Sequence, residues 1–208
     1  GYEVRVNSMT ATPSPDDVLI IWNRYGHYER RANDFEAAGA RVLVAENGYY
    51  GTDENGIQRY ALARSGHNGS GWYYTPVTRQ DFGDRLDELN IAFDDWVSEP
   101  DGHILVCGQR GIGSRTMASP PNWHIDVANR LRAKTKREIR IREHPGQNVE
   151  GAKPLSEDLD GAAGCVVWSS GCAITATIKG IPVHYEAPHH IIAECLNHGI
   201  GHIEQPRN

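Results

Sequence analysis

Short apolar runs separated by polar stretches dominate the first part of the chain. Residues 17–22 carry a continuous apolar run after a Pro/Ser/Asp turn, which is typical of a strand buried on both faces of a parallel sheet. A polar, helix-compatible stretch over 27–38 ends at Gly39, and a second short strand is expected at 41–45. This order predicts a β-α-β unit. Residues 46–76 are rich in Gly, Asn and Tyr without a sustained period, so we expect a long functional loop there.

In the second part of the chain, apolar and helix-compatible segments alternate regularly. A helix is expected over 84–97, and the Glu-Pro-Asp-Gly turn at 99–102 separates the two parts. Strands and helices then alternate, which predicts an α/β fold with a doubly wound parallel sheet. A single continuous sheet fits the order of elements almost as well as two lobes. The predicted strands are 103–107, 138–142, 164–168 and 181–184, and the predicted helices are 123–134, 154–159, 171–179 and 189–198.

Length and charge narrow the classes of function. A chain of 208 residues and 23.1 kDa makes one large domain or two small lobes that share a cleft. The chain has 21 Lys and Arg against 27 Asp and Glu, so its formal charge is −6. The molecule as a whole therefore has no positive potential that would bind a polyanion. With a mean hydropathy of −0.55 and no apolar run near the ~18 residues of a membrane span, we expect no membrane span. Four cysteines without a C-x-x-C pair indicate a reducing, cytoplasmic compartment.

Three loops that follow predicted strands carry small, cationic or hydroxyl side chains. Ligands of doubly wound sheets bind outside the carboxyl ends of the strands, near the helix starts that follow. A Ser-Ser-Gly helix start offers free N–H groups, hydroxyls and the helix dipole to a phosphate, although serine there is more often a plain N-cap. A histidine fixed by a following proline, and arginines nearby, add hydrogen-bond donors. The candidate phosphate ligands are Gln109, Arg110, Gly111, Arg142, His144, Ser169, Ser170 and Gly171.

The order of these motifs resembles the donor half of GT-B glycosyltransferases. Between residues 104 and 188 a Gly-Gln-Arg loop, an Arg-x-Arg-x-His-Pro strand end and a Val-Val-Trp-Ser-Ser-Gly helix start follow one another. The His-Pro and Ser-Ser pairs are similar to the two phosphate-side motifs of bacterial sialyltransferases and capsule Kdo-transferases. Short phage-encoded glycosyltransferases share this layout.

The resemblance implies two Rossmann-like lobes in a compact GT-B-like arrangement. It implies an acceptor-side lobe at 1–100 and a nucleotide-sugar donor lobe at 101–208. It further implies that Ser169, Ser170 and His144 bind the phosphate of a UDP-, CMP- or GDP-linked sugar, that Tyr185 lies near the nucleoside, and that no metal is obligatory. The oligomeric state stays open.

Glycosyl transfer needs a base for the acceptor hydroxyl and stabilisation of the departing phosphate. His144 is the candidate for the second task. Glu46, directly after the second strand, and His67, in a glycine-rich loop, are the candidates for the base, although such residues are often caps or solvated side chains. Aromatic faces stack on sugars or bases. The candidate acceptor-side residues are Asn23, Arg24, Asn68 and Trp72.

The sequence therefore predicts transfer of a sugar to a hydroxyl acceptor, with several alternatives open. The acceptor is a glycan or, on the phage resemblance, a hydroxymethylated DNA base held by a patch of arginines. The other classes are a non-catalytic nucleotide- or glycan-binding module and a sugar-nucleotide hydrolase or epimerase. Histidines near the C-terminus raise a metal site as a further alternative. The arginines are Arg24, Arg30, Arg31, Arg59 and Arg64, and the histidines are His184, His189, His190, His198 and His202.

Overall fold

The computed structural model describes residues 3–6, 11–53, 55–67, 70–73, 86–97, 99–113, 117–147 and 153–205. In this part of the chain the strands form two sheets, one in each predicted lobe. The elements are β1 (Val18–Trp22), α1 (His27–Ala37), β2 (Arg41–Thr52), β3 (Gln58–Arg64), β4 (His103–Cys107), α2 (Trp123–Arg132), β5 (Ile139–Arg142), α3 (Leu155–Leu159), β6 (Ala162–Val167), α4 (Cys172–Ile178), β7 (Val183–Tyr185) and β8 (Asn197–His198).

The N-terminal sheet has the order β1-β2-β3. β1 and β2 are parallel and joined through α1, so the predicted β-α-β unit is confirmed. The helix covers one face, where Phe35 packs with Ile21 and Val44. The prediction that the first strand is buried on both faces is wrong. β1 is an edge strand, and Ile20 and Trp22 on its other face are exposed because no described helix covers them.

The predicted loop over 46–76 is in large part a β-hairpin, so that prediction is wrong for β2 and β3. β2 continues to Thr52 and pairs with β3 in antiparallel register. Four residues lie between Asn47 and Thr52, whereas one lies between their partners Tyr60 and Gln58, so β2 carries three additional residues as a bulge. The hairpin was missed because its glycine-rich, mostly exposed strands lack the apolar alternation that marks a half-buried sheet.

The C-terminal sheet is parallel throughout, with the order β5-β4-β6-β7-β8. Every residue of β4 is buried, as a central strand with both faces covered requires. Trp123, Val127 and Leu131 of α2 pack on one face, whereas Leu159 of α3 and Ala173 of α4 pack on the other. The predicted doubly wound α/β arrangement is confirmed.

Two predicted helices are wrong. Of the stretch 84–97, the described part is helical only at 86–88. Residues 91–97 lie alongside the turn at the end of α4, and Val97 donates its N–H to the carbonyl of Gly180 there over 2.8 Å. Residues 189–198 form a 3₁₀ turn at Ala193–Cys195 and then β8, which pairs with β7. The backbone of residues 197 and 198 makes its hydrogen bonds with β7 at the edge of the sheet, in place of the hydrogen bonds of the predicted helix. None of the described helices has the length and apolar character needed to cross a bilayer.

Candidate functional site

The candidate site lies where the connections of the C-terminal sheet diverge. From β4 the chain leads outward to β5, and from β6 it leads to β7 on the opposite side. The carboxyl ends of β4 and β6 therefore border a crevice, which is where open α/β sheets bind their ligands. The side chain of Gln109 joins the two loops: its Oε1 accepts from the N–H of Ser169 at 2.7 Å and its Nε2 donates to Ser169 Oγ at 3.3 Å.

Ser169 and Ser170 have different roles in this crevice. Ser169 is buried, and its hydroxyl donates to the carbonyl of Met117 at 3.3 Å, so its polar groups are used within the protein. Ser170 is partly buried, and its Oγ accepts from the N–H of Cys172 at 3.3 Å. The Ser170 side chain also hydrogen-bonds to the side chain of Cys172. A hydroxyl rotates about its C–O bond and both accepts and donates, so this O–H can turn toward a ligand.

His190 supports the same loop, and the sequence did not predict this role. Its Nδ1 accepts from the N–H of Ile192 at 3.3 Å, so in the neutral ring Nε2 carries the proton and donates to the carbonyl of Ser170 over 3.3 Å. Burial lowers the pKa of His190 and keeps the ring neutral, although the bond to Ser170 opposes the shift. Its position after β7, next to the loops that follow β4 and β6, was the only signal in the sequence.

His144 and Arg110 lie together at the end of β5. The Nδ1 of His144 accepts from the N–H of Gly146 at 2.9 Å, so the neutral ring carries its proton on Nε2. Burial lowers the pKa of His144, and the charges of Arg110 and Arg142 lower it further. Arg110 is exposed, and its Cδ would lie 3.3 Å from a Cβ at Gly146. The site thus offers a neutral N–H donor beside a cation.

Two further predicted donor residues are occupied within the protein. The guanidinium of Arg142 binds the carboxylate of Asp158 and donates to the carbonyl of Lys153 at 2.8 Å. Tyr185, at the end of β7, is buried, and its ring centroid lies 5.6 Å from that of His190. Gly111 has a φ of 68°, a conformation in which a side chain is strained, so glycine allows this loop to turn.

Glu46 lies within β2 and not directly after the second strand as predicted, because this strand continues into the hairpin. Its side chain is close to Asn23, the residue that follows β1. When the Asn23 amide is oriented to satisfy both neighbours, its Nδ2 donates to Glu46 Oε2 and its Oδ1 accepts from Trp22 Nε1 at 3.0 Å. Burial lowers the pKa of His67, and the negative charge of Glu46 partly opposes this shift. The Nδ1 of His67 is buried without a hydrogen-bond partner among the described residues. The structure thus brings Asn23, Glu46 and His67 together.

The remaining acceptor-side residues are dispersed. Arg24 makes a bidentate ion pair with Glu36, at 2.9 and 2.7 Å, so its charge serves the packing of α1. Arg31 binds the carbonyl of Ala11 and lies over the ring of Phe35. The predicted arginine patch therefore loses two of its members to internal contacts. Trp72 is 78% exposed. Asn68 lies outside the described residues.

The two lobes meet at the candidate site through Tyr49. This residue lies in the bulge of β2, and a Cβ added to Gly171 at the start of α4 would lie 3.1 Å from Tyr49 Cδ1. The hydroxyl of Tyr49 is 3.2 Å from that of Tyr73. The N-terminal hairpin therefore borders the crevice directly.

The opposite edge of the C-terminal sheet holds a cavity of about 490 Å³. It is lined by residues that precede β4 and β5, among them Pro100 and Arg137. Arg137 fills one wall and donates to the carbonyls of Glu99, Pro100 and Gly102. Among the described residues no three His, Cys, Asp or Glu side chains are placed to share a metal ion, the C-terminal histidines included.

Comparison with solved structures identifies proteins of similar fold. The chain matches the KpsC β-Kdo 2,7 transferase of Thermosulfurimonas dismutans with a TM-score of 0.59 and 15% identity, over 87% of this chain and 68% of that one. It matches the KpsC β-Kdo 2,4 transferase of the same organism with a TM-score of 0.58 and 11% identity, over 86% of this chain and 72% of that one. No protein-family model and no curated protein sequence matches the chain. The predicted α/β fold with Rossmann-like sheets of glycosyltransferases is confirmed.

Proposed function

We propose that this protein is a glycosyltransferase that moves a sugar from a nucleotide-activated donor to a hydroxyl of a saccharide. The observation that carries the proposal is the carboxyl edge of the parallel C-terminal sheet, where the loops that follow the neighbouring strands β4, β5 and β6 carry Arg110, His144 and Ser170 as hydrogen-bond donors. The likeness in fold to two Kdo transferases supports the same class of reaction.

In the proposed reaction the C-terminal lobe binds the donor phosphate. The Nε2–H of His144, the guanidinium of Arg110 and the hydroxyl of Ser170 hydrogen-bond to phosphate oxygens and stabilise the charge that develops there. Gln109 and Ser169 fix the loop that carries Ser170. The bond between the anomeric carbon and the phosphate oxygen breaks, and the nucleotide keeps the electron pair. The acceptor oxygen then forms the new bond to the anomeric carbon.

Glu46 is the proposed base that takes the proton of the acceptor hydroxyl. The hydrogen bond from Asn23 orients its carboxylate. The exposed rings of Trp22 and Tyr60, whose centroids are 5.6 Å apart, offer an apolar surface next to this carboxylate for a sugar ring. We favour a saccharide over DNA because Arg24 and Arg31 are engaged in internal contacts.

Transfer is tested by incubating the protein with CMP-, UDP- and GDP-linked sugars and an oligosaccharide acceptor panel, with a Kdo donor first because both structural neighbours are Kdo transferases. We expect release of nucleotide that depends on the acceptor. Glu46→Gln should lower the rate about 100-fold or more, whereas Glu88→Gln, which changes an exposed glutamate in the helical segment at 86–88, should leave it unchanged. Free sugar released without an acceptor would indicate a hydrolase. Nucleotide binding without any turnover would indicate a binding module.

A further inference from the structure

The contact between Tyr49 and Gly171 joins the two lobes and has no role in the reaction described above. Tyr49 is partly buried in the bulge of β2, and Gly171 directly precedes α4. The backbone of Gly171 has a φ of −59° and a ψ of −16°, close to the right-handed helical region that any L-residue adopts. Its backbone therefore does not require glycine. The Tyr49 ring does, because its Cδ1 and Cε1 would lie 3.1 and 3.5 Å from a Cβ at this position.

Two glycines shape the bulge that carries Tyr49. A Cβ at Gly48 would lie 2.7 Å from the carbonyl oxygen of Arg59, so β2 and β3 approach each other there more closely than a side chain allows. Gly51 has a φ of 62°, in the left-handed region that favours glycine. Bulges bend a strand and re-aim its side chains, and they are frequent beside active sites. The bulge thus gives Tyr49 its position against the C-terminal lobe.

Both partners of this contact are close in the chain to groups of the proposed reaction. Glu46, the proposed base, precedes Tyr49 by three residues, which span at most about 11 Å. Ser170, a proposed phosphate ligand, is the residue before Gly171, and its carbonyl accepts from His190 Nε2. Glu46 is held in the regular part of the β2–β3 ladder. Each group is therefore fixed within its own lobe, and the Tyr49 ring lies where the two lobes touch.

We propose that Tyr49 is a positioning residue that sets the distance between the acceptor base and the donor phosphate. This inference rests on the proposed function, because it concerns the geometry of that reaction. The acceptor oxygen that Glu46 deprotonates must reach the anomeric carbon that the phosphate leaves. A misplacement of about 1 Å between such groups costs about 100-fold in rate. An aromatic ring suits this task, since it is large, rigid and has only two side-chain torsions.

The test is the single-turnover rate of transfer, measured with each CMP-, UDP- or GDP-linked sugar that the wild-type protein transfers to an oligosaccharide. We expect Tyr49→Ala to lower this rate about 10- to 100-fold, while its affinity for the nucleotide, measured by titration calorimetry, stays within about 2-fold of wild type. Tyr49→Phe removes the hydroxyl that lies 3.2 Å from that of Tyr73 but keeps the ring, so it should restore most of the rate. Tyr50→Ala, which changes the exposed neighbour in the same bulge, should leave both values unchanged.

Gly171→Ala tests the same contact from the other lobe. The added Cβ, 3.1 Å from Tyr49 Cδ1, is too close for an ordinary contact, so the ring and the loop must move apart. We expect this variant to lower the single-turnover rate as well. In the Tyr49→Ala background the same substitution should have little further effect, because the ring is gone. Since Gly171→Ala keeps the tyrosine, it decides the question also if Tyr49→Ala does not fold.

The outcomes separate this inference from the function on which it rests. Wild-type transfer rates in Tyr49→Ala and Gly171→Ala would overturn the positioning role and leave the glycosyltransferase standing. The same holds if Tyr49→Ala loses nucleotide affinity and keeps its single-turnover rate, because the ring would then support only the donor loop. An equal loss of rate in Tyr50→Ala would assign the effect to the bulge as a whole and overturn the role of Tyr49. If the wild-type protein transfers no sugar, both the positioning role and the proposed function are overturned.

Discussion

Replacing Gln109 by alanine removes both hydrogen bonds that join the loop after β4 to the loop after β6. The shorter of them, 2.7 Å, pairs the N–H of Ser169, and the other, 3.3 Å, reaches Ser169 Oγ. Ser169 is 5% exposed, so water does not readily replace the lost acceptor. A buried donor left without a partner costs about 1–3 kcal/mol. We expect Gln109→Ala to lower the free energy of unfolding by about 2 kcal/mol.

The assay is urea unfolding followed by fluorescence, together with the melting temperature. For a chain of this length, about 2 kcal/mol corresponds to a fall of about 4–8 °C. Gln205→Ala is the control, because Gln205 is exposed, and it should stay within about 0.5 kcal/mol of wild type. Gln109→Glu keeps an oxygen acceptor for the N–H of Ser169 and should lose less stability than the alanine variant.

The same substitution separates positioning from direct binding. If Gln109 only holds the loop, Gln109→Ala weakens nucleotide binding while His144 and Ser170 still contribute, so a residual affinity remains. An unfolding free energy for Gln109→Ala within about 0.5 kcal/mol of wild type would refute the reasoning, because it would mean that the bonds to Ser169 do not hold the crevice together.

Three further predictions concern stability and the contact between lobes. Unfolded histidines titrate near 6.5 and burial lowers the pKa of His184 and His190, so the unfolded chain binds more protons below about pH 6.5. The free energy of unfolding from urea titrations should therefore fall from pH 7.5 to pH 5, by at most about 1.4 kcal/mol per pH unit for each histidine; equal free energies at the two pH values would contradict this. Gly171→Ala places a Cβ 3.1 Å from Tyr49 Cδ1, and its effect on stability should differ between the wild-type and Tyr49→Ala backgrounds in a double-mutant cycle, so additive effects would exclude the contact. Arg142→Met should lower the melting temperature by several degrees, since it leaves a half-buried carboxylate on α3 unpaired; an unchanged melting temperature would assign the arginine to ligand binding alone.

The C-terminal sheet was predictable because its strands are apolar throughout and short turns follow them. The prediction of β4 at residues 103–107 is correct to the residue, since five buried positions in a row mark a central strand. The exposed hairpin of β2 and β3 carries no comparable signal, and its pairing depends on cross-strand contacts that a period cannot show. β8 has two residues and forms only because β7 offers a free edge.

The candidate site was predictable as a set of loops and not as a set of contacts. Chain order brings the loops with Gln109, His144 and Ser170 to one edge of a parallel sheet, and the structure agrees. Which side chains are used internally depends on partners distant in sequence. Ser169 binds Gln109, 60 residues away, and His190 reaches Ser170 from 20 residues away. The sequence shows neither distance nor direction, so direct and supporting residues were not separable.

The measurement that tests the central claim most directly is the melting temperature with CMP, UMP and GMP and their sugar-linked forms. A ligand at about 100 times its dissociation constant adds about 2.7 kcal/mol, or about 5–10 °C for a chain of this length. We expect such a shift with one nucleotide in the wild-type protein, and a much smaller shift in His144→Ala and Ser170→Ala. No shift with any nucleotide, or equal shifts in wild type and both variants, would contradict a donor site between β4 and β6.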